Sequence, residues 1–218
     1  MNYIYNDDCF EVINNLNLNN KKICLLTDPP YGILGGSKSI GGSKLYHANN
    51  YDCSWDNNRL TKEQINLLIS LSNKAFIFGY NYISDLLPPT NSLIVWDKKC
   101  KNNWFDNFSD GEIIWTNINT PLRIYRHLWM GALRKGKNTK RIHPTQKPVE
   151  LMGWIIENFT KNDDIIFDPF MGSGSTIIAC IELNRQYIGI EKNKHYFDIA
   201  KNRIDEYRYN KDSQNNLF

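Results

Sequence analysis

The run "DDIIFDPFMGSGSTIIACIELNRQYIGIE", Asp163 to Glu191, says more about architecture than any other part of the chain. "DDIIFD" is too apolar for a half-exposed strand and reads as a buried one ending on an acid. "MGSGST" is a turn in which Gly172 and Gly174 let the backbone bend sharply and approach a ligand closely. "TIIACIELN" is a helix, and "QYIGIE" is a second strand closed by Glu191. Strand, glycine turn, helix, strand and an acid about twenty residues on make a nucleotide-binding βαβ unit, whose acid can accept from both ribose hydroxyls. The dinucleotide pattern G-x-G-x-x-G is incomplete, because Ile177 stands at the third glycine; this argues for a smaller adenosine ligand and against NAD.

The rest of the chain extends this alternation. "NYIY" (Asn2 to Tyr5) and "KKICLLTD" read as strands, with a short helix "CFEVINNL" between them. "LTKEQINLLISLSN" is a helix capped by Thr61 with an apolar stripe at Ile65, Leu68 and Ile69. "AFIFGY", "SLIVWD" and "EIIWTN" read as strands; "HPTQKPVELMGWIIENFT" turns into a helix, and "KNKHYFDIAKNRIDEYRY" is an amphipathic helix. Strands alternating with helices imply a parallel sheet with helices on both faces.

At 218 residues, 41% hydrophobic and 13% aromatic, the chain supports one well-cored domain and is not a disordered segment. Five cysteines without a C-x-x-C pair imply reduced thiols in an intracellular, cytoplasmic protein, and the scattered histidines argue against a structural zinc site. "MNYIYNDD" is no signal peptide, and no apolar run approaches membrane-spanning length.

"TDPPYG", Thr27 to Gly32, leaves a buried strand through two residues without an N–H, flanked by a carboxylate and a ring. A turn alone accounts for these six residues. A long Gly/Ser/Lys loop, Gly32 to Asp56, follows. Between Glu112 and Glu150 the chain carries eight Lys and Arg and no acid, with Trp115, Tyr125 and Trp129 interleaved. Such a one-sign stretch reads as a phosphate-contacting surface.

"DPPY" at Asp28 to Tyr31, "HPTQKP" at His143 to Pro148 and "FDPFMGSGST" at Phe167 to Thr176 together resemble the amino-methyltransferases that use S-adenosylmethionine. Their order, DPPY first and glycine turn last, is that of the β-class DNA N6-adenine and N4-cytosine enzymes. The resemblance spans about Asn2 to Asp205. It implies an α/β fold: a doubly wound, mostly parallel, seven-stranded, Rossmann-like methyltransferase sheet with a reversed hairpin at one edge, supplied by "SLIVWD" and "EIIWTN". It implies a single methyltransferase domain over 1–209, a compact basic DNA-recognition insertion at about 112–147, and a flexible tail at 210–218.

The resemblance also assigns roles. Asp28 and the Pro29 carbonyl would accept hydrogen bonds from the target amine, aiming its lone pair at the cofactor's methyl; Pro30 would stiffen the turn and Tyr31 would stack on the flipped base. Asp168, Phe170, Gly172, Ser173 and Gly174 would wrap the methionine part of S-adenosylmethionine, with Asp28 beside its methyl. Thr145 and Lys147 would meet its carboxylate and Glu191 its ribose. Asp8 would meet the adenine amino group, with Asp7 as rival; Asp8 reads equally as a helix cap. The product would be S-adenosylhomocysteine, and no metal is implied.

Double-stranded DNA would lie along Lys38, Lys44, Arg123, Arg126, Arg134, Lys135, Lys137, Lys140 and Arg141, with Lys98, Lys99 and Lys101 as weaker candidates. No separate recognition domain is visible, and the class often pairs as a homodimer. "QNNLF" (Gln214 to Phe218) resembles sliding-clamp peptides. Asp at position 28 favours adenine-N6 over cytosine-N4 transfer. A non-catalytic nucleic-acid-binding protein of the same fold is the alternative outside enzymology.

Overall fold

The computed structural model describes residues 1–33, 56–100, 109–130, 133–136, 142–143 and 145–215. In chain order the elements are β1 (Asn2–Tyr5), α1 (Cys9–Asn15), β2 (Ile23–Thr27), α2 (Lys62–Ser70), β3 (Lys74–Phe78), α3 (Tyr80–Ile83), β4 (Leu93–Asp97) and β5 (Gly111–Thr116). Then come β6 (Arg123–Arg126), β7 (Trp129–Met130), β8 (Leu133–Arg134), α4 (Val149–Phe159), β9 (Ile165–Asp168), α5 (Ser175–Glu182), β10 (Gln186–Ile190) and α6 (Lys194–Asn215). The chain divides into two compact units, one made of Met1–Thr27 with Lys140–Phe218 and the other of Asp28–Thr139.

The first unit carries the expected βαβ pattern. Its strands lie in the order β1-β10-β9-β2, and every pair is parallel. β2 and β9 are buried along their whole length, which is why they read as continuous apolar runs. α5 packs against α4, α6 and β10, burying Ile177, Ile178 and Ala179 completely.

The second unit holds β3, β5, β4 and β6 in that order. β5 runs antiparallel to both β3 and β4, and β6 returns parallel to β4. The β4–β5 hairpin is present, but not at the border: β6 lies outside it. The segment "RIYR", read from the sequence only as part of a charged surface, thus forms a strand. Among the described residues the two units contribute four strands each, one more than the seven expected, and the mostly parallel α/β character is borne out. β7 and β8 pair as a separate short ribbon. The capping box of α2 forms as read, Thr61 and Gln64 each accepting from the other's backbone N–H.

α6 stays helical through Asn215, beyond the expected boundary at 209; residues 216–218 of the clamp-like tail lie outside the described residues. No helix among the described residues is long and apolar enough to cross a membrane.

Ile178→Ala empties a fully buried position behind the glycine turn. It is expected to cost about 2–5 kcal/mol, read as a lowered denaturant midpoint.

Candidate active site

The residues expected to hold the cofactor, Asp28 apart, all belong to the first unit. Parallel pairing brings the carboxyl ends of its strands into line: Tyr5 faces Ile190, and Gly189 faces Asp168. Ligands of open α/β sheets bind at such ends. Asp168 is 3% exposed. Its Oδ1 accepts from Thr27 Oγ1 at 2.9 Å and from the Phe170 N–H at 3.2 Å, and its Oδ2 accepts from Thr176 Oγ1 at 2.6 Å. Asp168 therefore fastens the ends of β2 and β9 to the start of α5.

The turn that follows is pinned at several points. Gly172 and Gly174 have φ of +51° and +79°, in the left-handed region that favours glycine. The Met171 N–H bonds the Ile190 carbonyl at 2.9 Å, and the Gly174 N–H closes onto the Met171 carbonyl at 2.8 Å. Gly172 N donates to Glu191 Oε2 at 3.0 Å, and Asn193 N donates to Glu191 Oε1 at 2.8 Å. Burial pushes the Glu191 carboxyl up to about 7, although those two N–H groups pull the other way; the charge of Asp168 adds to the rise. Each Glu191 oxygen keeps a further lone pair, so the group fits a ligand diol.

Lys147 is 7% exposed, unlike an ordinary solvated helix start, and its carbonyl accepts from Ser175 Oγ at 2.8 Å. Thr145 is half-buried, and its N–H reaches His143 Nδ1 at 3.3 Å. His143 itself was not singled out from the sequence. Its buried ring packs edge-on against Tyr196 at 4.3 Å, and a Cβ at Gly172 would stand 3.6 Å from it. Asp8 caps α1, Oδ1 accepting from Phe10 N at 2.9 Å, while its Oδ2 meets Lys192 Nζ at 3.0 Å. Burial raises the Asp8 carboxyl, but Lys192 and the Phe10 N–H outweigh it, and the net shift is downward. Asp7 is exposed and accepts from the Asp8 N–H. Donors and acceptors around a glycine turn, with an acid at the end of the next strand, suit an adenosine-type cofactor.

The DPPY segment belongs to the second unit. The Tyr31 hydroxyl donates to Asp28 Oδ1. Burial and the neighbouring Asp28 carboxylate raise the Tyr31 phenol well above its usual range, so it stays a donor. Pro29 is buried, and Asp28 and Pro30 are half-buried. Three features around this turn were not foreseen. Asp56, 1% exposed, accepts from three successive N–H groups: Tyr31 at 2.5 Å and Gly32 at 2.9 Å on Oδ1, and Ile33 at 3.0 Å on Oδ2. Tyr82 stacks on Tyr31 with centroids 5.2 Å apart. At Gly79, φ +77°, an added Cβ would fall 2.1 Å from the Tyr31 ring. The ring expected to meet a base thus has one partner already, and its hydroxyl is engaged.

Of the basic residues, Arg123, Arg126 and Lys135 are exposed. Arg126 lies 3.5 Å from Asp97, and the half-buried Arg134 sits 4.6 Å over the Trp129 ring. Lys98 and Lys99 pair with Glu112 and Asp110. Trp115 is a core residue, 2% exposed, donating to the Pro88 carbonyl. Lys38, Lys44, Lys101, Lys137, Lys140 and Arg141 lie outside the described residues.

The sequence profile of the N6/N4 family, described as DNA methylase, matches residues 96–202. The type II methyltransferase M2.MboI of Moraxella bovis is 26% identical over 93% of this chain and 87% of its own length. M.HindIII of Haemophilus influenzae is 37% identical over 50% of this chain but only 31% of that protein. The crystal structure of the M1.HpyAVI–S-adenosylmethionine complex superposes with a TM-score of 0.61 at 27% identity, covering 94% of this chain and 99% of that one. A second M1.HpyAVI structure gives 0.55 at 30% identity over the same shares. The chain belongs to the N6/N4 DNA methylase family. The amino-methyltransferase class and S-adenosylmethionine as cofactor, both expected from the motifs, are borne out.

Two outcomes are expected. Glu191 carries its proton to about pH 7 when folded, against an ordinary value of 4.5, so its contribution to stability falls as pH rises through that window. With Glu191 in the ribose role that the motif implies, hydroxyl donors would favour its ionised form, so S-adenosylmethionine affinity, measured by calorimetry, is expected to rise from about pH 6 to about pH 8. Glu191→Gln abolishes that dependence. Asp56→Ala strands three N–H groups, costing about 3 kcal/mol, and slows turnover at least about tenfold. Cofactor affinity is expected to stay unchanged, because the residues expected to hold the cofactor, Asp28 apart, lie in the first unit and keep their contacts; Asp56→Asn recovers part of the loss.

Proposed function

We propose that this chain is a site-specific DNA methyltransferase that moves a methyl group from S-adenosylmethionine to the exocyclic N6 amine of an adenine taken out of the duplex. The observation that carries the reading is the Asp28 carboxylate, held in a preorganised turn and already accepting a hydrogen bond from the Tyr31 hydroxyl. That bond marks an acceptor site which an amine N–H can take over. Asp56 fixes the three peptides after the prolines, so the turn needs no rearrangement when a substrate arrives.

An adenine amine is a poor nucleophile because its lone pair is conjugated into the ring. Asp28 and the Pro29 carbonyl, each accepting one amine hydrogen, draw the nitrogen toward tetrahedral geometry. When bound, S-adenosylmethionine supplies an electrophilic sulfonium methyl and leaves as S-adenosylhomocysteine. One N–C bond forms as one S–C bond breaks, and the amine's surplus proton passes to solvent. Asp28 acts as acceptor and electrostatic partner. Tyr31 is the ring that would stack on the base.

The Asp at position 28 supports adenine; cytosine-N4 transfer is the second reading, since the family contains both chemistries. Exposed Arg123, Arg126 and Lys135 support a phosphate-contacting role for the basic segment. A homodimer would add a second recognition surface to a chain whose recognition segment is short.

The test is incubation with unmethylated genomic DNA and labelled S-adenosylmethionine, followed by nucleoside mass spectrometry. N6-methyladenine is expected; N4-methylcytosine would overturn the target base, and no modified base would overturn the reading. Asp28→Ala is expected to abolish turnover while cofactor affinity stays within about threefold, and full activity in that variant would end the proposed mechanism.

A further inference from the structure

A turn built on glycines with positive φ has many conformations open to it, so something outside the turn must select one. In the first unit α6 does this. Its face packs onto Gly174, where an added Cβ would stand 3.2 Å from Ile204 and 3.5 Å from Ala200. From the same helix Arg203 Nη1 donates to the Ser173 carbonyl at 2.8 Å, with Ser175 Oγ at 3.3 Å and Ser173 Oγ at 3.5 Å. Ser175 Oγ passes the link on to the Lys147 carbonyl. One guanidinium therefore ties the glycine turn, the start of α5 and the HPTQKP segment together.

The peptide between Ser173 and Gly174 is planar and is held at both ends: its carbonyl by Arg203, its N–H by the Met171 carbonyl. The peptide between Met171 and Gly172 is held through its N–H by Glu191. The Gly172–Ser173 peptide, at the crest of the turn, is left with its orientation set by these two neighbours. Arg203 Nη2 is buried and has no hydrogen-bond partner among the described residues, a cost that packing alone would not require.

We propose that Arg203 is a positioning residue for the methionine end of the cofactor: it sets the turn from behind, through the Ser173 carbonyl and Ser175 hydroxyl, without touching the ligand. This rests on the S-adenosylmethionine reading above. It separates two parts of the cofactor site, since Glu191 holds the adenosine end and Arg203 acts only where the glycine turn meets the amino acid. One nitrogen, Nη1, serves both the carbonyl and the hydroxyl, and the planar guanidinium fixes the direction in which it donates.

The test compares S-adenosylhomocysteine with 5′-methylthioadenosine, which lacks the amino-acid end, by calorimetry on the full chain. Arg203→Ala is expected to weaken S-adenosylhomocysteine at least about tenfold while 5′-methylthioadenosine changes by less than about threefold. Arg203→Lys should fall between, and kcat at saturating cofactor should hold within about threefold in both. Equal losses for the two ligands would reduce Arg203 to a general structural role, and no loss in a folded Arg203→Ala would overturn the proposal outright. Should Arg203→Ala not fold, Arg203→Lys decides, and a wild-type ratio of the two affinities there overturns it. Failure of the wild-type chain to bind S-adenosylhomocysteine would instead remove the cofactor reading, and this inference with it.

Discussion

The Asp168 carboxylate is the constraint on which the first unit depends. A buried acid is tolerated only when its oxygens are satisfied, and here Thr27, Thr176 and the Phe170 N–H do so. These donors come from the end of β2, the start of α5 and the turn itself. Satisfying one charge therefore fixes three chain segments at once. The same contact sets Thr27, the residue from which the chain enters Asp-Pro-Pro-Tyr.

Asp168 and Glu191 end adjacent strands but are treated differently. Asp168 receives hydroxyl donors on both oxygens, whereas Glu191 receives only two backbone N–H groups and is pushed up to about 7 by burial. The first is held by three donors from three chain segments. The second keeps lone pairs to spare, and a hydroxyl donor placed there would favour its ionised form. The two acids differ in the supply of donors they receive, not in how they end a strand.

What the sequence made legible were local backbone demands. Glycines at a strand-to-helix turn, paired prolines and strand-terminal acids constrain the residues beside them, so the βαβ unit, β3 to β5 and α2 could be read without coordinates. Asp56 escaped notice because its partner Tyr31 is 25 residues away, and Arg203 because Ser173 is 30 away. Nothing at those positions distinguishes a clamp from a solvated charge until the chain is folded. β6 was missed for a related reason: Arg123 and Arg126 mark the segment by its charge and hide its short strand pattern. Trp115 misled in the opposite direction, an aromatic beside basic residues that belongs to the core. Asp8 carried two readings, and its helix cap is visible in the hydrogen bonds.

Gly79 closes the second unit around Tyr31, with no volume for even a methyl group. The position is frozen as long as the tyrosine ring stays where it is. Change around the ring must therefore proceed through the neighbours that face solvent, Tyr82 among them, and not through Gly79. In a diverging lineage, position 79 would behave as a fossil and position 82 as a dial.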